Sequence, residues 1–425
     1  MRHPHVHRFG GRSAERGATL ILVVIAMAAL IAMAGLALDV SHMMISKTRL
    51  QDTVDAAALS AASTLNETSS TTLATAAALA AFGMNASAAG NQELRSSYTG
   101  GSITVTVQYS SALPPFTPGT TPAQYVRVKA TGFNFPAWLV QVVGITQLGV
   151  SASAVAGASP TVNRDCNIAP MMVCGKPSAG AAGLWGYTLN APQSLKSAAP
   201  GSSAVGPGNF QLVQIGCTGA DCVRQNMAGS FSACMTNGSS IQTQTGSETG
   251  PVAQGLNTRF GQYSGPTSIS QDPPDVITSY QSQALTVQSD GSIWQGSTQV
   301  TGDNINNNST PNVYSYQDYQ RDESNPAKYN YQPVSSNGDG VFNRRVLSVP
   351  IGDCSGTASG SSNVPVIGFG CFFLLQPVTH QGSTNFVIGQ FVGNCTVNGT
   401  PGPNPVTGPG PHVIELYHDP DSGDS

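Results

Sequence analysis

Eight cysteines offer the most reactive side chains in this 425-residue sequence, and all of them fall between Cys166 and Cys395. Cys166 and Cys174 flank NIAPMMV, and Cys217 and Cys222 flank TGAD. Neither pair has the two-residue gap of a zinc knuckle. The later histidines, His380, His412 and His418, do not lie beside them to complete a ligand set. An even number of thiols in an exported segment reads instead as disulfides. Cys166, Cys174, Cys217, Cys222, Cys234, Cys354, Cys371 and Cys395 are therefore the disulfide candidates. Eight cysteines allow about a hundred connectivities. The one favoured pairing is Cys166 with Cys174, because the loop between them is short.

The other reactive groups form no recognisable site. Asp419 to Ser425 resembles part of a calcium loop but lacks the spaced ligands and closing glutamate, and reads as a frayed acidic tail. Asp39-Val40-Ser41 starts like a DxSxS metal motif, with Met43 where the second serine belongs. Asp353-Cys354-Ser355-Gly356-Thr357 comes closer but ends on threonine and contains one of the disulfide candidates, Cys354. Asn337-Gly338-Asp339-Gly340 reads as a turn, and His3, His5 and His7 as a mobile terminus. Gly368-Phe369-Gly370-Cys371 sits inside an apolar strand-like run, where close backbone packing explains its glycines. No GxSxG elbow, HExxH or phosphate-binding glycine loop occurs. The expectation is a protein without catalytic residues, cofactor or metal. With 9% charged residues, five lysines and a net charge of −4, it also has no basic patch for nucleic acid.

The element that must position everything else is the run Ala18 to Leu38, ATLILVVIAMAALIAMAGLAL, which holds no charge and no proline. At about 1.5 Å per residue it crosses a hydrocarbon core of roughly 30 Å. Arg2, Arg8, Arg12 and Arg16 precede it against a single acid, Glu15, while Asp39, Lys47, Arg49, Asp52 and Asp55 follow. Positive flanks stay inside, so the N-terminus is expected in the cytoplasm and the remainder outside. The position of the cysteines agrees. A cleaved signal peptide is the rival reading, since Ala32-Met33-Ala34 precedes Gly35. The apolar run continues past that point to Leu38 and into a helical pattern, which favours retention. Cleavage after Gly17, as in a prepilin, would place Leu22 where a glutamate is usual.

Beyond the span, Val40, Met43, Met44, Leu50, Val54, Ala57, Ala58, Ala61 and Leu65 recur at helical spacing. The predicted helix breaks at Asn66 to Ser70, and a second, alanine-rich one covers Thr71 to Asn85. The period then changes to two. Strands are expected over Ser102 to Ser110, Tyr125 to Thr131 and around Leu148 to Ala154, with a short helix from Pro136 to Val143 between the last two. After Gly157 to Pro160 helical periodicity is almost absent. Strand-like stretches (Phe210 to Ile215, Arg345 to Pro350, Val364 to Leu375, Asn385 to Val392) alternate with turns, and Ser239 to Gly265 and Gly296 to Asn337 read as loops. The predicted class is α+β: a transmembrane helix continuing into a small α+β module, followed by a β-rich, disulfide-stabilised domain.

Arg16-Gly17-Ala18, Asp39, Leu50-Gln51 and Asp55-Ala56-Ala57-Ala58-Leu59 occur in this order around a single span. In this the segment Arg16 to Leu65 resembles the N-terminal region of Flp pilus-assembly TadE/TadG-like proteins, and the resemblance extends to about Gly157. It implies an inner-membrane accessory protein of the tight-adherence pilus or a related bacterial secretion machine, structural rather than catalytic. Implied partners are the lipid bilayer and other pilus-assembly or secretion membrane proteins. The domain layout that follows is a cytoplasmic basic tail (1–17), a transmembrane helix (18–38), a Tad-like α+β module (39–157) and an exported cysteine-containing domain (158–425).

Arg16, Gly17, Gly35, Asp39 and Asp55 are the candidate membrane-edge and assembly residues. Gly35 and the alanines around it would admit a second transmembrane helix. Asp39 would sit where a carboxylate becomes solvated and limit inward sliding. The Asp55 to Leu59 face would pack either on a partner helix or on the domain's own sheet. An exported adhesin-like binding module and an exported hydrolase are the alternative functions.

Overall fold

The computed structural model describes residues 16–166, 168–181, 183–196, 209–229, 234–246, 248–307, 310–323, 325–332, 339–355, 361–378, 380–381, 384–406, 410–419 and 422. The arginines and histidines of the first fifteen residues, and Asn337-Gly338 of the expected turn, lie outside them.

One helix, α1, runs unbroken from Arg16 to Thr68. With no proline in 53 residues, nothing interrupts its hydrogen-bond ladder. Its surface changes character along its length. Leu20 to Ala34 is exposed throughout, as an apolar span outside a membrane must be. Leu50, Val54, Ala57, Ala58, Ala61 and Leu65 are buried on one stripe. Burying a leucine such as Leu50 is worth roughly 2 kcal/mol. The helix ends where Ser69 takes a left-handed conformation (φ 53°) and its N–H returns to the Leu65 carbonyl at 2.8 Å. Ser70 then caps α2 (Thr71–Ala86), its hydroxyl accepting from the Leu73 N–H. A short α3 (Gln92–Thr99) follows.

Three antiparallel strands cover α1. β1 (Thr104–Ser110) pairs with β2 (Tyr125–Pro136), placing Val107 opposite Val128, and β2 pairs with β3 (Gln147–Ala158). The β2–β3 register slips between Ala130 and Phe133, at Gly132. There φ is +84°, and a Cβ would lie 2.4 Å from the Ser102 carbonyl oxygen, so glycine is required. β2 is longer than its alternation suggested because it continues through this bulge to Pro136. The helix expected from Pro136 to Val143 is therefore corrected to a single 3-10 turn, Val140–Val143. α1, α2 and the sheet close over one core that includes Leu50, Phe82, Val128 and Phe133.

The remaining chain is built on a mixed sheet whose long strands, Val346–Gly352, Asn363–Leu374 and Val387–Val392, are neighbours in that order. These match three of the expected strand runs. Three short helices went unforeseen: α4 (Ala220–Ala228), α5 (Thr249–Asn257) and α6 (Tyr316–Glu323). The segments read as loops contain α5, α6 and the strand Ser240–Thr245. Helices of eight or nine residues make too few turns for periodicity to stand out. Arg345 is fully buried where these pieces meet. Its guanidinium lies over the rings of Phe373 (4.3 Å) and Phe260 (4.6 Å) and donates to the carbonyls of Ile277, Ser279 and Leu374.

All eight cysteines are paired, but the favoured Cys166–Cys174 pairing is overturned. The bonds are Cys166–Cys234, Cys174–Cys354, Cys217–Cys222 and Cys371–Cys395. Strand register explains the correction. Cys166 ends the strand Thr161–Cys166 directly opposite Cys234, and Cys174 lies beside Gly352, two residues from Cys354. Strand pairing brought distant cysteines together, and the short intervening loop did not decide. The Gly368 to Cys371 stretch is packed as expected: a Cβ at Gly368 would lie 2.1 Å from the Trp185 indole.

Of the expected acidic tail, Asp419 is corrected, while Asp421 and Asp424 lie outside the described residues. Ile414–Tyr417 returns as a fourth strand beside β3, and Asp419 is buried, its carboxylate 2.6 Å from Arg127 and accepting from the Ser153 hydroxyl at 2.8 Å.

Candidate membrane-edge assembly site

Asp39 lies on α1 at the outer end of the apolar run, yet its side chain is turned away from solvent and only 2% of the residue is exposed. The structure fills the carboxylate's coordination with backbone. Oδ1 accepts from the Trp138 N–H at 2.7 Å, and Oδ2 accepts from the N–H groups of Leu139 (2.9 Å) and Val140 (2.5 Å). These are the donors that the Val140–Val143 turn leaves without a partner of its own. A carboxylate on one element thus caps another about a hundred residues later. The solvated carboxylate expected here is instead a tertiary cap.

The β2–β3 connection is held against α1 on both sides of that cap. One turn inward, Gly35 is buried under Leu139. A Cβ on Gly35 would come within 2.8 Å of the Leu139 Cβ, so no larger residue fits without displacing the loop. One turn outward, His42 stacks on Trp138 with ring centroids 4.2 Å apart and lies 4.8 Å from Phe135. Its Nε2 is 2.8 Å from the Glu93 carboxylate on α3. Gly35, Asp39 and His42 stand at helical spacing on one face. Within Leu20 to Leu38, Gly35 is the one buried residue, so the small alanines of the span, Ala28, Ala29, Ala32 and Ala34, remain open to other contacts.

The latch continues down the helix. Lys47 Nζ donates to the Ser151 carbonyl at 2.8 Å, and Gln51 Nε2 donates both to the Ser153 carbonyl (2.9 Å) and to Asp55 Oδ1 (2.7 Å). Asp55 is half-buried. Burial raises its carboxyl above the ordinary aspartate value, the Gln51 hydrogen bond pulls it partly back, and Asp52 adds to the rise. Ala57, Ala58, Ala61 and Ala62 are buried against the domain's own elements. Gly35, Asp39 and Asp55 thus share one helix but not one pocket. Arg16 and Gly17 open that helix well away from them.

Ser41, the third residue of the DxSxS-like start, donates its hydroxyl to the Ala37 carbonyl. Among the described residues, no cluster of three His, Cys, Asp or Glu could hold a metal ion. A cavity of about 750 Å³ lies where the end of α1 meets β2, β3 and α6, and Asn66, Glu67, Asn190, Tyr316, Gln317 and His412 help to line it. Sequence reasoning missed the loop that covers Asp39. The signal was AWLVQVVGI, residues 137–145: nine residues with no charge and a tryptophan, read there as a helix.

The class of protein that this geometry defines is a chain with, among the described residues, one apolar helix long enough to cross a membrane, which continues without a break into the core of an α+β module. Residues 17–64 match the family model for Flp pilus-assembly TadE/G-like proteins, and residues 60–156 match the Tad-like Flp pilus-assembly model. Residues 17–156 thus form a Tad-like region, and its N-terminal apolar helix is consistent with a single-pass membrane anchor. The two models meet inside α1, the helix that joins span and module. No curated protein and no solved structure matches the chain.

Proposed function

We propose that this chain is a single-pass inner-membrane accessory component of Flp (tight-adherence) pilus assembly or of a related secretion system, structural and not catalytic. Residues 1–17 face the cytoplasm, 18–38 cross the membrane, 39–157 form the Tad-like module at its outer surface, and 158–425 extend into the periplasm. Its partners are the bilayer and other membrane proteins of the assembly machine. The observation that carries the reading is α1 itself: exposed and apolar over its first part, then packed into a module matched by both Tad-like family models. Such a helix holds a folded unit at a fixed height and angle above the bilayer.

The test is genetic and biochemical. Deleting the gene in its host is expected to reduce surface fibres, with restoration by the full chain but not by residues 39–425 exported behind a cleavable signal. A periplasm-dependent reporter is expected to be active when fused after Ser425 and inactive at the N-terminus. Undiminished fibres in the deletion strain would remove the proposal. The polar cavity at the end of α1 favours a second reading, an exported binding module of adhesin type. That reading expects normal fibres with reduced surface attachment.

A further inference from the structure

The loop between β2 and β3 exposes large apolar side chains at the one height where water is not their natural neighbour. Trp138, Leu139 and Ile145 are 50%, 41% and 47% exposed. None of residues 137–147 carries a charge. Asp39 holds this loop against α1, and Leu139 reaches Gly35, about 6 Å inward of Asp39 along the helix axis. Leu139 therefore contacts a residue inside the apolar run.

The helix face beside it tells the same story. Past Leu38, the outward residues Val40, Met44 and Ile45 are apolar and exposed. Three polar side chains fall between Leu38 and Ile45: Asp39 is capped by the loop, His42 is covered by Trp138 and paired with Glu93, and the exposed Ser41 donates its hydroxyl back to the Ala37 carbonyl. The outward face of α1 thus carries no charge for about 10 Å beyond Leu38, through the interfacial layer of a bilayer, before Lys47 and Arg49. Beside it the partly exposed carboxylate of Glu93 stands at the height of His42, among the headgroups. Tryptophan beside aliphatic residues suits that layer, where a ring can meet both headgroups and acyl chains.

From this juxtaposition we infer that the 137–147 loop, together with Val40, Met44 and Ile45, is a lipid-binding foot that inserts into the outer interface of the membrane. Asp39 makes insertion possible by satisfying three backbone N–H groups that would otherwise enter an apolar layer unpaired. The foot gives the anchor a second point of attachment beside the helix. One helix alone leaves the exported part free to rock toward and away from the bilayer, and a foot inserted beside the helix restricts that tilt. This inference rests on the single-pass reading of α1.

The experiment uses the purified full chain, one copy per lipid nanodisc, with acyl-chain-brominated phosphatidylcholine as quencher. The chain has three tryptophans, Trp138, Trp185 and Trp294. Bromolipid is expected to quench the share of emission belonging to Trp138, and Trp138→Phe to remove that quenched share. Ile145→Glu is expected to shift the Trp138 emission to the red and open it to aqueous acrylamide, with the chain still in the disc. Equal quenching of wild type and Trp138→Phe, or a Trp138 reached by acrylamide and untouched by bromolipid, would overturn the foot while leaving the anchor standing. A Trp138 shielded from both quenchers would mean that protein covers the loop, which also overturns it. A chain that does not remain in the disc fails the anchor reading itself.

Discussion

At the scale of single residues, two carboxyl groups show how surroundings decide what an acid does. Asp39 accepts three backbone hydrogen bonds, so removing it orphans three N–H groups, each at a cost of about 1–3 kcal/mol when buried. Asp39→Leu is expected to leave membrane insertion intact while freeing the loop. Hydrogen exchange over residues 137–143 should rise at least tenfold, and fibre assembly should fall. Asp39→Asn, which keeps one acceptor oxygen, should show a smaller effect. Unchanged exchange in Asp39→Leu would show that the cap does not hold the loop. Glu323 is the opposite case. Burial, then the negative charges of Asp275 and Glu67, push its carboxyl up to about 9, against partial help from Tyr319. The folded state therefore binds a proton that the unfolded state releases above its ordinary value of 4.5. Stability contributed by this group is full below that value and is lost as pH rises toward 9. Glu323→Gln is neutral at every pH, so its melting temperature should exceed wild type at pH 8 and approach it at pH 4. A constant difference across that range would assign the effect to packing. The sequence marked Asp39 as an edge residue but hid its partners, because backbone N–H groups carry no letter. Glu323 carried no signal at all, since burial is a property of the folded chain.

At the scale of elements, α1 uses small residues in two ways. Ala58 and Ala61 are fully buried beneath the module's own elements, whereas Ala28 and Ala32 stand exposed in the span. Ala61→Leu is expected to overpack the core at a cost of about 1–3 kcal/mol, lowering the melting temperature by a few degrees. Ala32→Leu should leave thermal stability unchanged, and a fall in fibre yield from it would mark a helix–helix contact inside the membrane. Equal melting shifts for both would erase the distinction between the two stretches. The elements legible in the sequence were those with long, regular patterns: α1, α2, β1 and β3 fell within a few residues of their expected limits. Those that escaped were short or depended on distant pairing. Cys174 sits eight positions after Cys166, yet its partner is Cys354, because a parallel pairing with Val346–Gly352 carries it there.

At the scale of the whole molecule, the chain's far end closes the sheet that its beginning starts. Ile414–Tyr417 pairs with β3, and Asp419 then meets Arg127 of β2 in the interior while the Arg127 guanidinium lies 4.0 Å over the Phe116 ring. Asn66, near the end of α1, adds hydrogen bonds to Thr396 and His412. Residues 158–425 are therefore tied to α1 by the covalent link after β3, by this returning strand and by the Asn66 hydrogen bonds. Asp419→Ala removes the carboxylate facing a buried guanidinium, and breaking such a pair costs about 3–5 kcal/mol. The expected result is a lower melting temperature and faster amide exchange in β3, with the double variant Arg127→Met/Asp419→Ala regaining part of the loss because the remaining charge is gone. If the single variant melts with wild type, the strand alone closes the sheet and the ion pair contributes nothing. If the double variant is worse than the single one, Arg127 stabilises the module through its packing on Phe116 more than through its charge.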